Sequence, residues 1–247
     1  MVVAADGVES KIARMAGLNT SLPIPNSISC YQYEMAGIDI ERPNRLYFYL
    51  GANVAPGGYI WIFPKGDHIA NVGIGFVLGK SKSETAKYYL DKWIESMPSI
   101  KKGSIIEENA GGIPFGNFLK KMTADNFLAV GDAAHQVNPM HGGGIAEAIN
   151  GARLAARVIA RAIREEDTTE KNLDEYNRVW WDMHGKNLAR IEKIVNECLS
   201  LSDEEINKIT DSISSEGVLK LLNGDLGFAA KIIMKNPRIA MIAAKAL

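Results

Sequence analysis

The stretch Asn126–Ile145, NFLAVGDAAHQVNPMHGGGI, decides the fold of this 247-residue chain. An apolar run leads into Gly131-Asp132, a loop with Pro139 and three glycines follows, and a helical pattern begins at Ile145. This order predicts a buried strand that delivers one carboxylate beside the N-terminus of a helix. Because a helix N-terminus attracts anions, the segment predicts a site with a hydrogen-bond acceptor next to an anion-stabilising edge.

The helix predicted after this loop is about twenty residues long, because its apolar positions keep a helical spacing over that length. Most of these positions are small, which predicts a narrow face suited to close packing: Ile145, Ala148, Ile149, Ala152, Ala155, Ala156 and Ile159. Gly142, Gly143 and Gly144 carry no side chains, so a planar ligand can approach the backbone N–H groups of the loop.

A flavin suits this arrangement. Asp132 would accept hydrogen bonds from the ribityl hydroxyls, while the helix N-terminus near Gly144 and Ile145 would face the N1/C2=O edge, where negative charge collects on reduction. The alternative is an ordinary strand, loop and helix, in which Asp132 caps the helix and the glycines only give flexibility.

Three parts of the sequence resemble the para-hydroxybenzoate hydroxylase superfamily of FAD proteins. The loop Gly131–Gly144 is similar to the second flavin motif of that superfamily, and Ala5–Ser10 with Arg14 is similar to its DG motif. The segment Tyr59–Pro64, continued by Asn71–Gly75, is similar to the substrate-side signature of archaeal geranylgeranyl reductases, which saturate the isoprenoid chains of membrane lipids.

The resemblance implies a cofactor, a substrate and the residues that hold them. FAD would be bound by Asp6, Gly7, Arg14, Gly131, Asp132, Pro139, Gly142, Gly143, Gly144 and Ile145. An isoprenoid lipid would be bound by Tyr59, Trp61, Phe63, Asn71 and Gly73. Family members differ in their electron donor, which is a nicotinamide nucleotide, ferredoxin or another carrier. The sequence carries no nicotinamide fingerprint that would select one of these donors.

The implied fold class is α/β with an α+β mixture: the C-terminal part of a two-domain FAD-dependent oxidoreductase of the para-hydroxybenzoate hydroxylase type, with an antiparallel substrate-domain sheet and a helical C-terminus. Such proteins begin with a strand, a G-x-G-x-x-G turn and a helix that hold the ADP half of FAD, and this sequence contains no such turn. We therefore expect a full-length member to carry on the order of a hundred or more further N-terminal residues, which are either missing from a fragment or supplied by another polypeptide. We expect these 247 residues alone to bind FAD weakly.

Changes of pattern divide the chain into four parts. Residues 1–24 are typical of a last strand and helix of the flavin domain, and residues 25–118 of antiparallel strands with one helix, as in a substrate-binding sheet. Residues 119–165 return to the flavin domain, and residues 166–247 are predicted to be helical. Within the last part, residues 226–247 mix apolar residues with Lys and Arg, which is typical either of a docked helix or of a helix on a lipid surface.

An aromatic strand is the second candidate site. Tyr59, Trp61 and Phe63 alternate along one predicted strand, so they share one face of the sheet. Asn71, Gly73 and Gly75 share a face on the following strand, where the two glycines leave space beside the aromatic rings. We expect a pocket wall that holds a long apolar chain against the flavin ring; the alternative is an ordinary core strand beside one weakened by glycine.

The histidines of the loop do not predict a metal site, because His135 and His141 lie without further ligands at metal spacing. Geranylgeranyl reductases often carry a small hydroxyl residue where this sequence has His141. We take His141 as the candidate catalytic residue, a proton donor near the flavin; the alternative is a polar loop residue.

The composition argues against a nucleic-acid partner, because 28 Lys and Arg against 29 Asp and Glu give a net charge of −1. Cys30 and Cys198 show neither metal spacing nor a disulfide framework, which suits a reducing cytoplasm. The apolar start is too short for a signal sequence, and no stretch reaches the length of a membrane span. We expect a cytoplasmic location, with any membrane contact peripheral and at the inner face.

The resemblance implies the FAD-dependent reduction of C=C bonds in the geranylgeranyl chains of archaeal membrane lipids. Reduced FAD would deliver a hydride to one alkene carbon, and a nearby acid or water would protonate the other. Two rivals stay open. One is a flavin monooxygenase or halogenase of the same fold, because halogenases carry a similar Trp-x-Trp-x-Ile-Pro strand. The other is a non-catalytic lipid-binding remnant, because the dinucleotide turn is absent.

Overall fold

The computed structural model describes residues 1–81 and 84–211, with 214, 216–217, 220, 225 and 227–228. The chain divides into two compact units, Met1–Leu22 with Pro114–Leu247, and Pro23–Ile113. The C-terminal segment that the sequence assigns to a docked or lipid-bound helix lies outside the described residues, apart from 227 and 228.

The secondary structure alternates between the two units along the chain. The strands are β1 (Val2–Ala4), β2 (Ser27–Ala36), β3 (Tyr47–Leu50), β4 (Tyr59–Pro64), β5 (Ile69–Val77), β6 (Ser104–Pro114), β7 (Thr123–Ala124) and β8 (Phe127–Ala129). The helices are α1 (Lys11–Met15), α2 (Ala86–Glu95), α3 (Pro98–Lys101), α4 (Ile145–Arg164), α5 (Glu170–Leu173), α6 (Glu175–Trp180), α7 (Lys186–Cys198) and α8 (Asp203–Asp211). A π-helical turn, Trp181–Gly185, joins α6 to α7.

A short sheet in the first unit places the two predicted flavin motifs at one edge. Strand β8 pairs in parallel with β1, with Val3 opposite Leu128, and in antiparallel with β7. Because β1 and β8 run in the same direction, the turn that begins at Asp6 and the turn that begins at Gly131 leave the sheet at the same end. The buried strand predicted before Asp132 is confirmed.

Helix α4 has the predicted length of 20 residues, but it packs through a different face from the one that the apolar pattern predicts. Its buried residues are Gly151, Leu154, Ala155, Val158 and Ala162. Of the predicted positions only Ala155 is buried, and Ile145 is 82% exposed. The reason is Gly151: a Cβ there would come within 2.4 Å of Oε1 of the buried Gln136, so only glycine lets the helix approach on this side.

The second unit is the expected antiparallel sheet, with strand order β3-β4-β5-β2-β6. One face of this sheet packs against α2, with Ile60 and Ile74 of the sheet and Leu90 of the helix fully buried. Helix α2 begins after Thr85, whose side chain accepts a hydrogen bond of 3.2 Å from the N–H of Tyr88.

Replacing Gly151 with Ala tests the packing of α4. An alanine normally stabilises an exposed helix position by about 1 kcal/mol relative to glycine. Here the added methyl would displace Gln136, so we expect a loss of about 1–3 kcal/mol in the free energy of unfolding. Urea denaturation measures the change, and Gly66→Ala is the control because a Cβ at Gly66 meets no atom within 4 Å. A stabilised Gly151→Ala variant would contradict this packing.

Candidate functional site

Asp132 lies directly beside the N-terminus of α4. A Cβ at Gly144 would come within 2.7 Å of Oδ1 of Asp132, so only glycine accommodates the carboxylate at this point. Burial raises the pKa of Asp132, partly offset by the charge of His135. The carboxylate accepts no hydrogen bond from the residues that the structure describes, and no side chain caps α4. The site therefore offers both an unsatisfied acceptor and free N–H donors.

Asn138 shapes the loop between Asp132 and α4. Its N–H donates to the carbonyl of Gly143 at 3.0 Å, and its carbonyl accepts from the N–H of Gly142 at 2.9 Å. Its side-chain oxygen accepts from the N–H of Met140 at 2.9 Å. Gly142 has a φ of +69°, a conformation that glycine adopts without strain. The sequence motif includes Asn138, but the residue was not among the predicted site residues; its signal was the Asn-Pro dipeptide.

Gln136 fixes the start of the loop and was missed by the sequence reasoning. It is fully buried, its Oε1 accepts from the N–H of Gly131 at 2.8 Å, and its Nε2 donates to the hydroxyl of Tyr176 at 2.9 Å. Tyr176 lies 40 residues further along the chain, so no local pattern signals the contact.

The DG-motif residues lie together in the turn after β1. Oδ1 of Asp6 accepts from the hydroxyl of Ser10 at 2.5 Å, and Oδ2 accepts from the N–H of Ile12 at 3.2 Å. The Ser10 hydrogen bond lowers the pKa of Asp6. The guanidinium of Arg14 donates to the carbonyl of Glu9 at 2.7 Å. Asp6 is thus engaged within its own turn, in contrast to Asp132.

The aromatic strand has the predicted alternation, because Tyr59, Trp61 and Phe63 are half-buried on the face of the sheet away from α2. The indole of Trp61 lies over Gly73, where a Cβ would come within 2.3 Å of Cζ2, and its Nε1 donates to Gln32 at 3.1 Å. The expectation that glycine leaves open space beside the rings is therefore wrong at Gly73, because the indole itself fills the space.

A fourth ring, Phe48, extends this aromatic face and was missed by the sequence reasoning. It lies opposite Trp61 in register, with ring centroids 5.3 Å from Tyr59 and 5.6 Å from Phe63, and it is 46% exposed. The alternation of β3 was the signal that could have identified it. At the edge of the rings, Oδ1 of Asn71 is buried and accepts no hydrogen bond from the described residues.

The aromatic face lies in the segment that a known family model matches. The model described as geranylgeranyl reductase catalytic domain matches residues 26–113. Digeranylgeranylglycerophospholipid reductase 1 of Methanothermobacter thermautotrophicus is 40% identical over 96% of this chain and 59% of its own length. The crystal structure of a geranylgeranyl bacteriochlorophyll reductase-like protein from Thermoplasma acidophilum has a TM-score of 0.84 and 34% identity over 97% of this chain and 62% of that one. The chain belongs to the geranylgeranyl reductase family.

The match to this family is partial in length, because the chain spans 59% of the first of these relatives. A second family model, lycopene cyclase protein, matches residues 84–212, which include the loop and α4. The halogenase PltM, solved in complex with FAD, has a TM-score of 0.63 at 14% identity over 99% of this chain and 52% of that one, a likeness of fold alone. The fold class expected from the sequence is confirmed.

The two loop histidines of this geranylgeranyl reductase family member differ in their surroundings. His135 is fully buried with a φ of +57°, and its Nδ1 donates to the carbonyl of Asn117 at 2.8 Å. The ring of His141 lies against Gly143, whose N–H donates to its Nδ1 at 3.1 Å. Burial lowers the pKa of both. Among the described residues, no three His, Cys, Asp or Glu side chains come close enough to hold a metal ion.

Replacing His135 with Asn tests the burial of the first histidine. Its pKa is lower in the folded protein than the unfolded value of about 6.5, so its contribution to stability is complete above that pH and is lost as the pH falls below it. Asn tolerates the left-handed backbone. We expect the free energy of unfolding in urea to fall less between pH 7 and pH 5 in the variant, by about 1 kcal/mol. The control is the exposed His68→Asn; equal pH dependence in all three proteins would contradict the assignment.

Proposed function

We propose that this protein is an FAD-dependent reductase that saturates C=C bonds in the geranylgeranyl chains of archaeal membrane lipids. The observation that carries the proposal is the aromatic face of β3 and β4, a row of half-exposed rings within the segment that the geranylgeranyl reductase model matches. A flat array of rings suits an isoprenoid chain, because it buries apolar area without hydrogen-bonding demands.

The loop of the first unit supports FAD as the cofactor. Asp132 has a desolvated carboxylate without a donor, which the ribityl hydroxyls would supply. The uncapped N-terminus of α4 would face the pyrimidine edge of the flavin, and Gly144 keeps that approach free of side chains. Asp6, Gly7 and Arg14 remain proposed cofactor residues in the neighbouring turn. When bound and reduced, FAD supplies a hydride to one carbon of the alkene.

The other tasks fall to side chains of this chain. We assign the positioning of the alkene and the exclusion of water to Tyr59, Trp61 and Phe63, because an unactivated double bond reacts only when it is held in place. His141 is the proposed proton donor, in its imidazolium form; in the neutral form, Nδ1 accepts a hydrogen bond from the N–H of Gly143 at 3.1 Å.

The proposed partners follow from the reaction. The substrate is an isoprenoid lipid, and the electrons come from a nicotinamide nucleotide, ferredoxin or another carrier. Among the described residues, no helix combines the length and apolar character that crossing a bilayer requires. Since the substrate is a membrane lipid, we propose that the protein works in the cytoplasm with peripheral contact at the inner membrane face, a setting in which Cys30 and Cys198 stay free thiols.

Asp132→Ala, made in the full-length enzyme, tests the cofactor assignment. The variant loses the acceptor for the ribityl hydroxyls, so we expect FAD binding to weaken by about 1–3 kcal/mol, measured as the dissociation constant by fluorescence quenching. Asp132→Asn keeps one acceptor oxygen and should fall between wild type and Ala. Asp182→Ala, which removes an exposed carboxylate of the same unit, is the control. Equal FAD affinity in Asp132→Ala and Asp182→Ala would reject the role of Asp132.

Trp61→Ala tests the aromatic face in the full-length, FAD-loaded enzyme. Removing the indole takes away the largest ring of the face, so we expect a loss of about 3 kcal/mol in transition-state stabilisation, seen as slower saturation as well as weaker lipid binding. FAD content should not change. Mass spectrometry follows the products, because each saturation adds two hydrogen atoms. Trp61→Phe keeps an apolar ring and should retain most of the rate.

The same assay separates the rivals. A halogenase or monooxygenase would add halogen or oxygen in air, and a cyclase would leave the product mass unchanged. Absence of products with two added hydrogens from a reduced, FAD-loaded wild type would reject the reductase, and equal saturation rates in wild type and Trp61→Ala would remove the aromatic face from the mechanism.

A further inference from the structure

A carboxylate that the proposed mechanism does not use lies in the first turn of α4. The side chain of Glu147 is only 16% exposed, and its Oε2 is buried without a hydrogen-bond partner among the described residues. The imidazole of His184 lies beside it, with Nδ1 at 3.7 Å from Oε2 and a side chain that is 24% exposed. A buried carboxylate without a donor is unfavourable unless a neighbouring group carries a positive charge.

The π-helical turn brings His184 to this position. A π turn interrupts the regular hydrogen bonds of a helix, and such turns concentrate at functional sites. This turn is fixed by tight packing: Trp180 and Trp181 lie edge to face at 5.5 Å, and a Cβ at Gly185 would come within 2.6 Å of both rings. The orientation of His184 is therefore set by packing that a regular helix would not provide.

Glu147 also acts on the second histidine of the cluster, His141. Burial lowers the pKa of His141, and the charge of Glu147 works in the opposite direction and raises it. The other carboxylate beside the loop, Asp132, interacts electrostatically with His135. Two imidazoles thus interact with Glu147: His141 of the loop electrostatically, and His184 of the π turn within ion-pair distance.

We propose that His141, Glu147 and His184 form a proton reservoir at the N-terminus of α4, in which Glu147 and His184 are positioning residues that keep one proton available to His141. The inference rests on the proposed reductase function. Saturation of one C=C bond consumes a hydride and a proton. The imidazolium of His141 gives the proton and becomes neutral, and the cluster regains one proton from solvent through His184, its partly exposed member.

Proton sharing can be measured on the chain without cofactor. NMR titration of the imidazole C–H signals, assigned through His→Gln variants, gives the pKa of His141 in the folded protein. Glu147→Gln removes the neighbouring charge, so we expect the pKa of His141 to fall by about 0.5 unit or more. His184→Gln leaves the whole carboxylate charge to His141, so we expect its pKa to rise.

The controls separate this coupling from general changes of charge and fold. Glu166→Gln removes an exposed carboxylate just beyond the other end of α4 and should leave the pKa of His141 unchanged. Glu147→Asp keeps the negative charge, so the pKa of His141 should stay closer to the wild-type value than in Glu147→Gln. If Glu147→Gln does not fold, the His184→Gln and Glu147→Asp titrations decide alone. The same His141 pKa in Glu147→Gln as in Glu166→Gln, or in His184→Gln as in wild type, overturns the reservoir.

Turnover provides the second readout in FAD-loaded protein. If His141 donates the proton, the saturation rate falls as the pH rises through its pKa. Because Glu147→Gln lowers that pKa, the fall should move to lower pH while FAD content stays the same. An unchanged pH profile overturns the proton role even if the NMR coupling is present. Absence of saturation by the wild type rejects the proposed function instead, and the NMR titration still decides whether the cluster shares a proton.

Discussion

The buried amide of Gln136 is the interaction on which the loop and its surroundings depend. It joins the backbone of Gly131 to the hydroxyl of Tyr176 on α6, and it lies against α4 at Gly151. A buried amide that loses a partner is destabilising by about 1–3 kcal/mol, so these three points must form together. The positions of the Asp132 carboxylate and of the N-terminus of α4 follow from that one anchor.

Two carboxylates with different surroundings lie at the N-terminus of α4. Asp132 is desolvated and lacks donors, which leaves it ready for hydroxyl groups of a ligand. Glu147 lies among imidazoles, one of them within ion-pair distance. The helix dipole stabilises both negative charges, and it does so most strongly in the first turn. The proposed cofactor contact and the proposed proton reservoir would thus share one helix end.

Local patterns predicted the elements of this fold better than their packing. The strand, loop and helix around Asp132 and the alternation of Tyr59, Trp61 and Phe63 follow from spacing along the chain, and the structure confirms them. The predicted buried face of α4 was wrong. Hydrophobic periodicity is read from apolar side chains, whereas this contact depends on the absence of a side chain at Gly151. Gln136 and the Glu147–His184 pair were missed since their partners are distant in sequence.

The contact between Trp61 and Gly73 couples the side-chain sizes that these two positions can tolerate. The indole of Trp61 on β4 packs directly on the backbone of Gly73 on β5, with no space left for a Cβ atom between them. Any enlargement at Gly73 must be matched by a smaller ring at Trp61, so variation at either position is interpretable only together with the other. The size of the ring that the aromatic face can present at Trp61 is therefore limited by a backbone position that carries no side chain of its own.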